Sequence, residues 1–83
     1  MKRALVYRPS AQRELAGMQR SDAARIVRAL EQFAATGSGD VKALKGALRG
    51  RYRLRVGKWR AFFALEQPAT IVVIDVDNRG QAY

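Results

Sequence analysis

The 83-residue chain contains no cysteine and no histidine. The first absence excludes disulfides and thiolate metal sites. The second leaves carboxylates as the sole metal-ligand class, and those are scarce: seven acidic residues against sixteen basic ones. No apolar run approaches the length of a membrane span. The segment MKRALVYRPS carries positive charge, but its apolar stretch is too short for a secretion signal. We therefore expect no membrane association and a cytoplasmic location, with no cofactor and no metal. Repeats, low-complexity segments and linkers are also lacking, so one small domain with a modest core is expected.

What the sequence does have is positive charge, net +9, with twelve arginines to four lysines. A small domain this basic expects a polyanion or an acidic protein partner. Hydrophobic residues at 48% and charged residues at 28% make a globular composition.

Leu5, Val6 and Tyr7 close a first strand over residues 2–7. Ser10 can cap a helix that sets Ala11, Leu15 and Met18 on one face. Ser21 can cap a second, running to Ala35, with Ile26, Leu30, Phe33 and Ala34 at helical spacing and Gly37 as its stop. The pair forms an antiparallel hairpin, with Arg13, Arg20, Arg25 and Arg28 as solvated outer charges. Residues 37–50 are expected to be a glycine-punctuated loop with one helical turn at 41–44. Three strands follow, 52–56, 59–65 and 70–77, with Gln67-Pro68-Ala69 turning between the last two. The order β-α-α-β-β-β argues an α+β domain, its helix hairpin packed on one face of a mainly antiparallel sheet.

The stretch RYRLRVGKWRAFF alternates arginine with apolar residues at the period of a half-buried strand. If Gly57-Lys58 is a two-residue turn, Arg55 faces Arg60 and Arg53 faces Phe62. Tyr52, Leu54, Val56, Trp59, Ala61, Phe63 and Leu65 then share the helix-covered face, and Arg51, Arg53, Arg55, Arg60 and Phe62 share the open one. In the last strand Val72, Ile74 and Val76 suit the core. Ile71, Val73, Asp75 and Asp77 would point outward, with Arg79 following in the same parity. Opposed like charges are destabilising. Either Asp75 neutralises the arginines, or the face binds phosphate, for which guanidinium forks are suited. Arg79 and Tyr83 in the tail VDNRGQAY suggest acid–base chemistry at a phosphodiester.

The residues SAQREL, LKG, GRYRLRVGKWRAFF and VDNRGQAY, spread over nearly the whole chain, resemble the RelE/ParE superfamily of toxins from type II toxin–antitoxin systems. The motif is closest to the RelE type, ribosome-dependent endoribonucleases that cut messenger RNA in the A site. That resemblance implies a cognate antitoxin, which would cover part of the basic face with an acidic or amphipathic segment. It also implies the ribosome and messenger RNA as partners, and operator DNA only through the antitoxin complex. Carried over by motif, Arg60, Arg79 and Tyr83 are the catalytic candidates. Arg53, Arg55, Lys42, Lys45 and Arg49 would hold RNA, and Phe62 would either stack on a base or simply pack. The implied reaction is metal-independent attack of a 2′-hydroxyl on the adjacent phosphate, giving a 2′,3′-cyclic phosphate. Arginine stays protonated and cannot act as base. Tyr83 is the leading base candidate, because surrounding arginines favour a phenolate, and Arg60 or Arg79 would stabilise the phosphorane. Many relatives carry histidine where this chain has Asn78. ParE-type members share the fold but bind DNA gyrase without catalysis, which is the alternative function.

Overall fold

Pro9, not Ser10, opens the first helix. A computed structural model of the chain, describing residues 2–66 and 69–78, places strand β1 at Ala4–Tyr7 and helix α1 at Pro9–Gly17. Arg8 is the N-cap residue and makes no side-chain cap bond. Proline suits the first helical position because it has no N–H to leave unpaired and its φ is already helical. The Ser10 hydroxyl is used elsewhere, donating to Ile74 O at 2.6 Å.

Helix α2 spans Arg20–Thr36. It starts before Ser21, so that serine lies inside the first turn rather than capping it, and Gln19 is the N-cap without a side-chain bond. Asp22 in the first turn complements the positive end of the helix dipole. Gly37 ends the helix as expected: at φ 78° its N–H still reaches Phe33 O at 2.8 Å. Ile26, Leu30, Phe33 and Ala34 are all buried.

The connection after α2 contains a strand where the sequence suggested a loop and a helical turn. Strand β2, Val41–Ala43, pairs antiparallel with β3, Arg51–Val56, matching Lys42 with Arg53. The ladder continues beyond it through Arg55 N–H to Asp40 O and Leu44 N–H to Arg51 O. Three residues carry too little pattern to be seen locally, and long-range pairing decides their conformation. The helical turn appears later, as a single 3₁₀ turn at Gly46–Leu48.

Gly57-Lys58 is the two-residue turn, with Val56 opposite Trp59 and Gly57 at φ 60°. It leads into β4, Trp59–Glu66, and then β5, Thr70–Asn78. The sheet order is β1-β5-β4-β3-β2, with β1 parallel to β5 and the other pairs antiparallel. Both helices lie on one face, where Phe63 is fully buried between Phe33 and Tyr52, with ring centroids 5.4 and 5.5 Å away.

A bulge corrects the face assignment in β5. Phe62 is opposite Asp75 but Phe63 is opposite Val73, leaving Ile74 as the extra residue. An extra residue reverses side-chain parity on one side of it. Val76, Val73 and Ile71 therefore belong to the helix-covered core, whereas Val72 falls on the open face opposite Ala64. Asp75 and Asp77, across from Phe62 and Arg60, stay on the open face. Leu65 shares core parity yet is 39% exposed near the strand end.

Candidate phosphate-binding site

The hairpin register puts two cross-strand rows of charge on the open face. One reads Lys42, Arg53, Phe62, Asp75; the next reads Arg55, Arg60, Asp77. The rows stand about 7 Å apart, two residues along a strand. Between β2 and the hairpin they enclose an open cavity of about 380 Å³, lined by Lys42, Ala43, Leu44, Lys45, Arg53, Arg60 and Phe62. Lys42, Lys45, Arg53 and Arg60 thus come together. Arg55 is exposed and lies outside the lining, as does Arg49 beyond the 3₁₀ turn. Arg79 and Tyr83 lie outside the described residues.

The cavity's arginines are held, but not saturated. Arg53 keeps only 15% of its side-chain surface exposed, and its Nη2 lies 3.6 Å from Asp40 Oδ1. Among the described residues this is the one ion pair on the face, and neither Asp75 nor Asp77 pairs with an arginine. Asp40 was not evident as a partner from sequence, because it follows two glycines in a segment with no pattern. The Nε atoms of Arg53 and Arg60 are both buried without a hydrogen-bond partner. Buried donors left unpaired are costly, and the Tyr7 hydroxyl and Trp59 Nε1, outside the cavity lining, are buried without a partner as well. Phe62 is 6% exposed. It forms part of the cavity wall by packing, without an open ring face for a base.

Arg55 and Arg60 face each other directly, an arrangement with a cost and a test. Arg55→Thr is expected to raise stability by about 0.5 kcal/mol, the size of a like-charge cross-strand penalty. Urea unfolding measures the effect. A destabilised variant would identify Arg55 as a structural member of the sheet.

Most of the remaining carboxylates sit away from the cavity. Glu14, Asp22 and Asp77 line a separate groove with Trp59. Among the described residues no cluster of metal-ligating side chains forms, and no helix is long and apolar enough to cross a membrane. Burial, with Asp77 and Asp75 nearby, pushes the Glu14 carboxyl up from its ordinary value of 4.5, against the opposing effects of a bond from Val76 N–H and of Arg13. The folded chain therefore holds this proton more readily than the unfolded chain. Stability from this group is fully present below the ordinary value and is lost as pH rises through the raised one. Glu14→Gln, which keeps an acceptor oxygen, is expected to melt higher than the parent at pH 7. The difference should disappear below pH 4.5. Equal melting temperatures at both pH values would show that the carboxylate carries no penalty.

The same fold occurs in known structures. One is the RelBE2 toxin–antitoxin complex from Mycobacterium tuberculosis, with 22% identity and TM-score 0.84 over 95% of this chain and 100% of that one. Another is the archaeal RelE–RelB complex from Pyrococcus horikoshii, with 18% identity and TM-score 0.78 over 99% and 100%. A third is the YoeB/ParE toxin from Agrobacterium tumefaciens, with 22% identity and TM-score 0.74 over 94% and 98%. No curated protein sequence gives a match. The family model for the ParE toxin of type II toxin–antitoxin systems matches residues 5–83. With nearly the whole chain matched and two helices packed on a five-stranded mixed sheet, the protein belongs to this family of type II toxin–antitoxin toxins.

Proposed function

We propose that the chain is a ribosome-dependent endoribonuclease that cleaves messenger RNA in the A site and is neutralised by a cognate antitoxin. The observation that supports this is the open cavity that gathers four basic side chains, Lys42, Lys45, Arg53 and Arg60, beside Phe62. A toxin acting only by docking on gyrase has no need of such a cradle. Lys42 and Lys45, with Arg49 and Arg55 further out, would hold backbone phosphates and supply affinity without sequence choice.

The reaction is an internal transfer. The 2′-hydroxyl oxygen attacks the adjacent phosphorus, the bond from phosphorus to the 5′-oxygen breaks, and a 2′,3′-cyclic phosphate and a 5′-hydroxyl result. Tyr83, as phenolate, takes the 2′ proton, and the departing 5′-oxygen takes its proton from water. Arg60 and Arg79 stabilise the charge that builds on the phosphorane, a contribution suited to fixed, always-charged donors. The antitoxin would lie over part of this basic face, and operator DNA would be bound only through that complex. Inducing the toxin and mapping nucleic-acid ends tests the reading. Messenger RNA cut on translating ribosomes, with 5′-hydroxyl ends downstream, is the expected result. Intact RNA with gyrase-dependent DNA breaks would replace this reading with the gyrase one.

A further inference from the structure

Among the described residues one carboxylate, that of Asp40, pairs with an arginine of the open face. Asp40 comes just before β2, and Arg55 N–H donates to its carbonyl at 3.0 Å. The β2–β3 ladder thus runs one pair further, with Asp40 opposite Arg55. Alternation then sets the Asp40 side chain on the open face with that of Lys42, two residues on. The preceding residue is fixed as well. A Cβ at Gly39 would lie 3.0 Å from Cδ1 of the buried Leu54, so this stretch is pressed against the core. From that fixed root the carboxylate reaches Arg53 Nη2 at 3.6 Å. It lies outside the cavity lining, beside the arginine it engages.

Two effects of this carboxylate on a phosphate at Arg53 oppose each other, and their sizes decide between them. A carboxylate that grips a guanidinium orients it, which favours binding. The grip here is weak. Its 3.6 Å exceeds the about 2.8 Å of a charge-assisted hydrogen bond, and the Asp40 side chain is 62% exposed, where ion pairs contribute little. Arg53 is enclosed by its surroundings in any case, with 15% of its side chain exposed. The opposing effect is charge. An incoming phosphate must share the guanidinium with an anion already beside it, and like charges at close range repel. We propose that Asp40 limits the cavity's hold on RNA by competing with phosphate for the Arg53 guanidinium. The four cations that line the cavity then bind less tightly than their number alone would give. This rests on the nuclease reading above, in which the cavity holds RNA phosphate.

The test uses the full-length toxin and a short single-stranded RNA with every 2′-hydroxyl methylated, so that binding is read without cleavage. Affinity is titrated at low salt for the parent, Asp40→Asn, Asp40→Ala, Arg53→Gln and the double variant Asp40→Asn with Arg53→Gln. Asp40→Asn keeps the size of the side chain and removes its charge. It should tighten binding about three- to tenfold, the effect of one charge about 5 Å from another in an exposed setting. Asp40→Ala should tighten it similarly, and the gain should shrink as salt rises. Glu66→Gln makes the same change in net charge at the exposed far end of β4, and should leave affinity near the parental value. In the Arg53→Gln background Asp40→Asn should gain little, because residues that act together are not additive. Unchanged or weaker binding by the folded Asp40 variants overturns the proposal and makes Asp40 a support for Arg53. So does an equal gain from Glu66→Gln, or a gain that survives in full without Arg53. If the parent and Arg53→Gln bind equally, the cavity is not the phosphate site, and the nuclease reading of it falls together with this inference. Parental binding that depends on Arg53, matched by both Asp40 variants, removes this inference alone.

Discussion

Tyr83→Phe is expected to lower messenger RNA cleavage on the ribosome by about 10²–10⁴-fold, the range for loss of a positioned acid or base. The substitution keeps the ring and removes only the hydroxyl. Ribosome and antitoxin binding should stay near parental values, because on the nuclease reading the cavity's lysines and arginines, not the hydroxyl, would supply the affinity. The chain has no histidine to take over the proton transfer, so rescue from within the protein is not expected. A variant that cleaves at the parental rate would remove Tyr83 from the mechanism. On the gyrase reading, toxicity would be indifferent to the hydroxyl, and no RNA product would form with either protein.

Arg60 should be nearly as sensitive, for a different reason. Its Nε is buried and unpaired in the cavity wall, across from Asp77 and Arg55. Arg60→Ala is expected to reduce the cleavage rate by about 10²–10³-fold, comparable to deleting one donor that stabilises a transition-state anion. Arg60→Lys keeps a positive charge but loses the planar fork and the Nε donor. It should therefore recover binding of the RNA more fully than it recovers the rate. Single-turnover cleavage with a parallel binding titration separates the two effects. Equal recovery of both would mean that Arg60 acts only as a point charge. The alanine variant also removes one member of the Arg55–Arg60 opposition, so a loss of activity through unfolding is not expected.

The hairpin was readable from sequence because three signals agreed there. Strict alternation from Arg51 to Val56, a glycine suited to positive φ, and a two-residue turn length all require the same register. That register holds through every pair from Arg51–Ala64 to Val56–Trp59. The helices were readable for a similar reason, since apolar spacing depends little on tertiary context. Their starts were not: Arg8 and Gln19 make no side-chain cap bonds, so the serines nearby were misleading signals. The Ile74 bulge was hidden because Ile71 to Ile74 is uniformly apolar, and a run without alternation cannot reveal where parity reverses. β2 was hidden because its three residues become a strand only through pairing with β3. The basic face was therefore legible as a set of residues, while its shape was not. The cavity needs β2 as a wall, and the pairing of Arg53 with Asp40 depends on where β2 begins.

The place of β5 in the sheet also bears on when this toxin can become active. It lies between β1 and β4, yet it is the last of the described elements in chain order. The β1 contacts join Ala4 to Thr70 and Tyr7 to Val73, nearly opposite ends of the sequence. Contacts of such long sequence separation close large loops and slow folding. During synthesis, β1 and the helices appear first, but β5, the interior strand against which β1 and α1 pack, follows every other described element. The hairpin of β3 and β4 can form early from local contacts, whereas the core cannot close until Ile71, Val73 and Val76 are present. A partly made chain is accordingly expected to remain protease-sensitive through Glu66, with protection appearing in one step as β5 is added. The packed sheet that backs the basic cavity would then await β5.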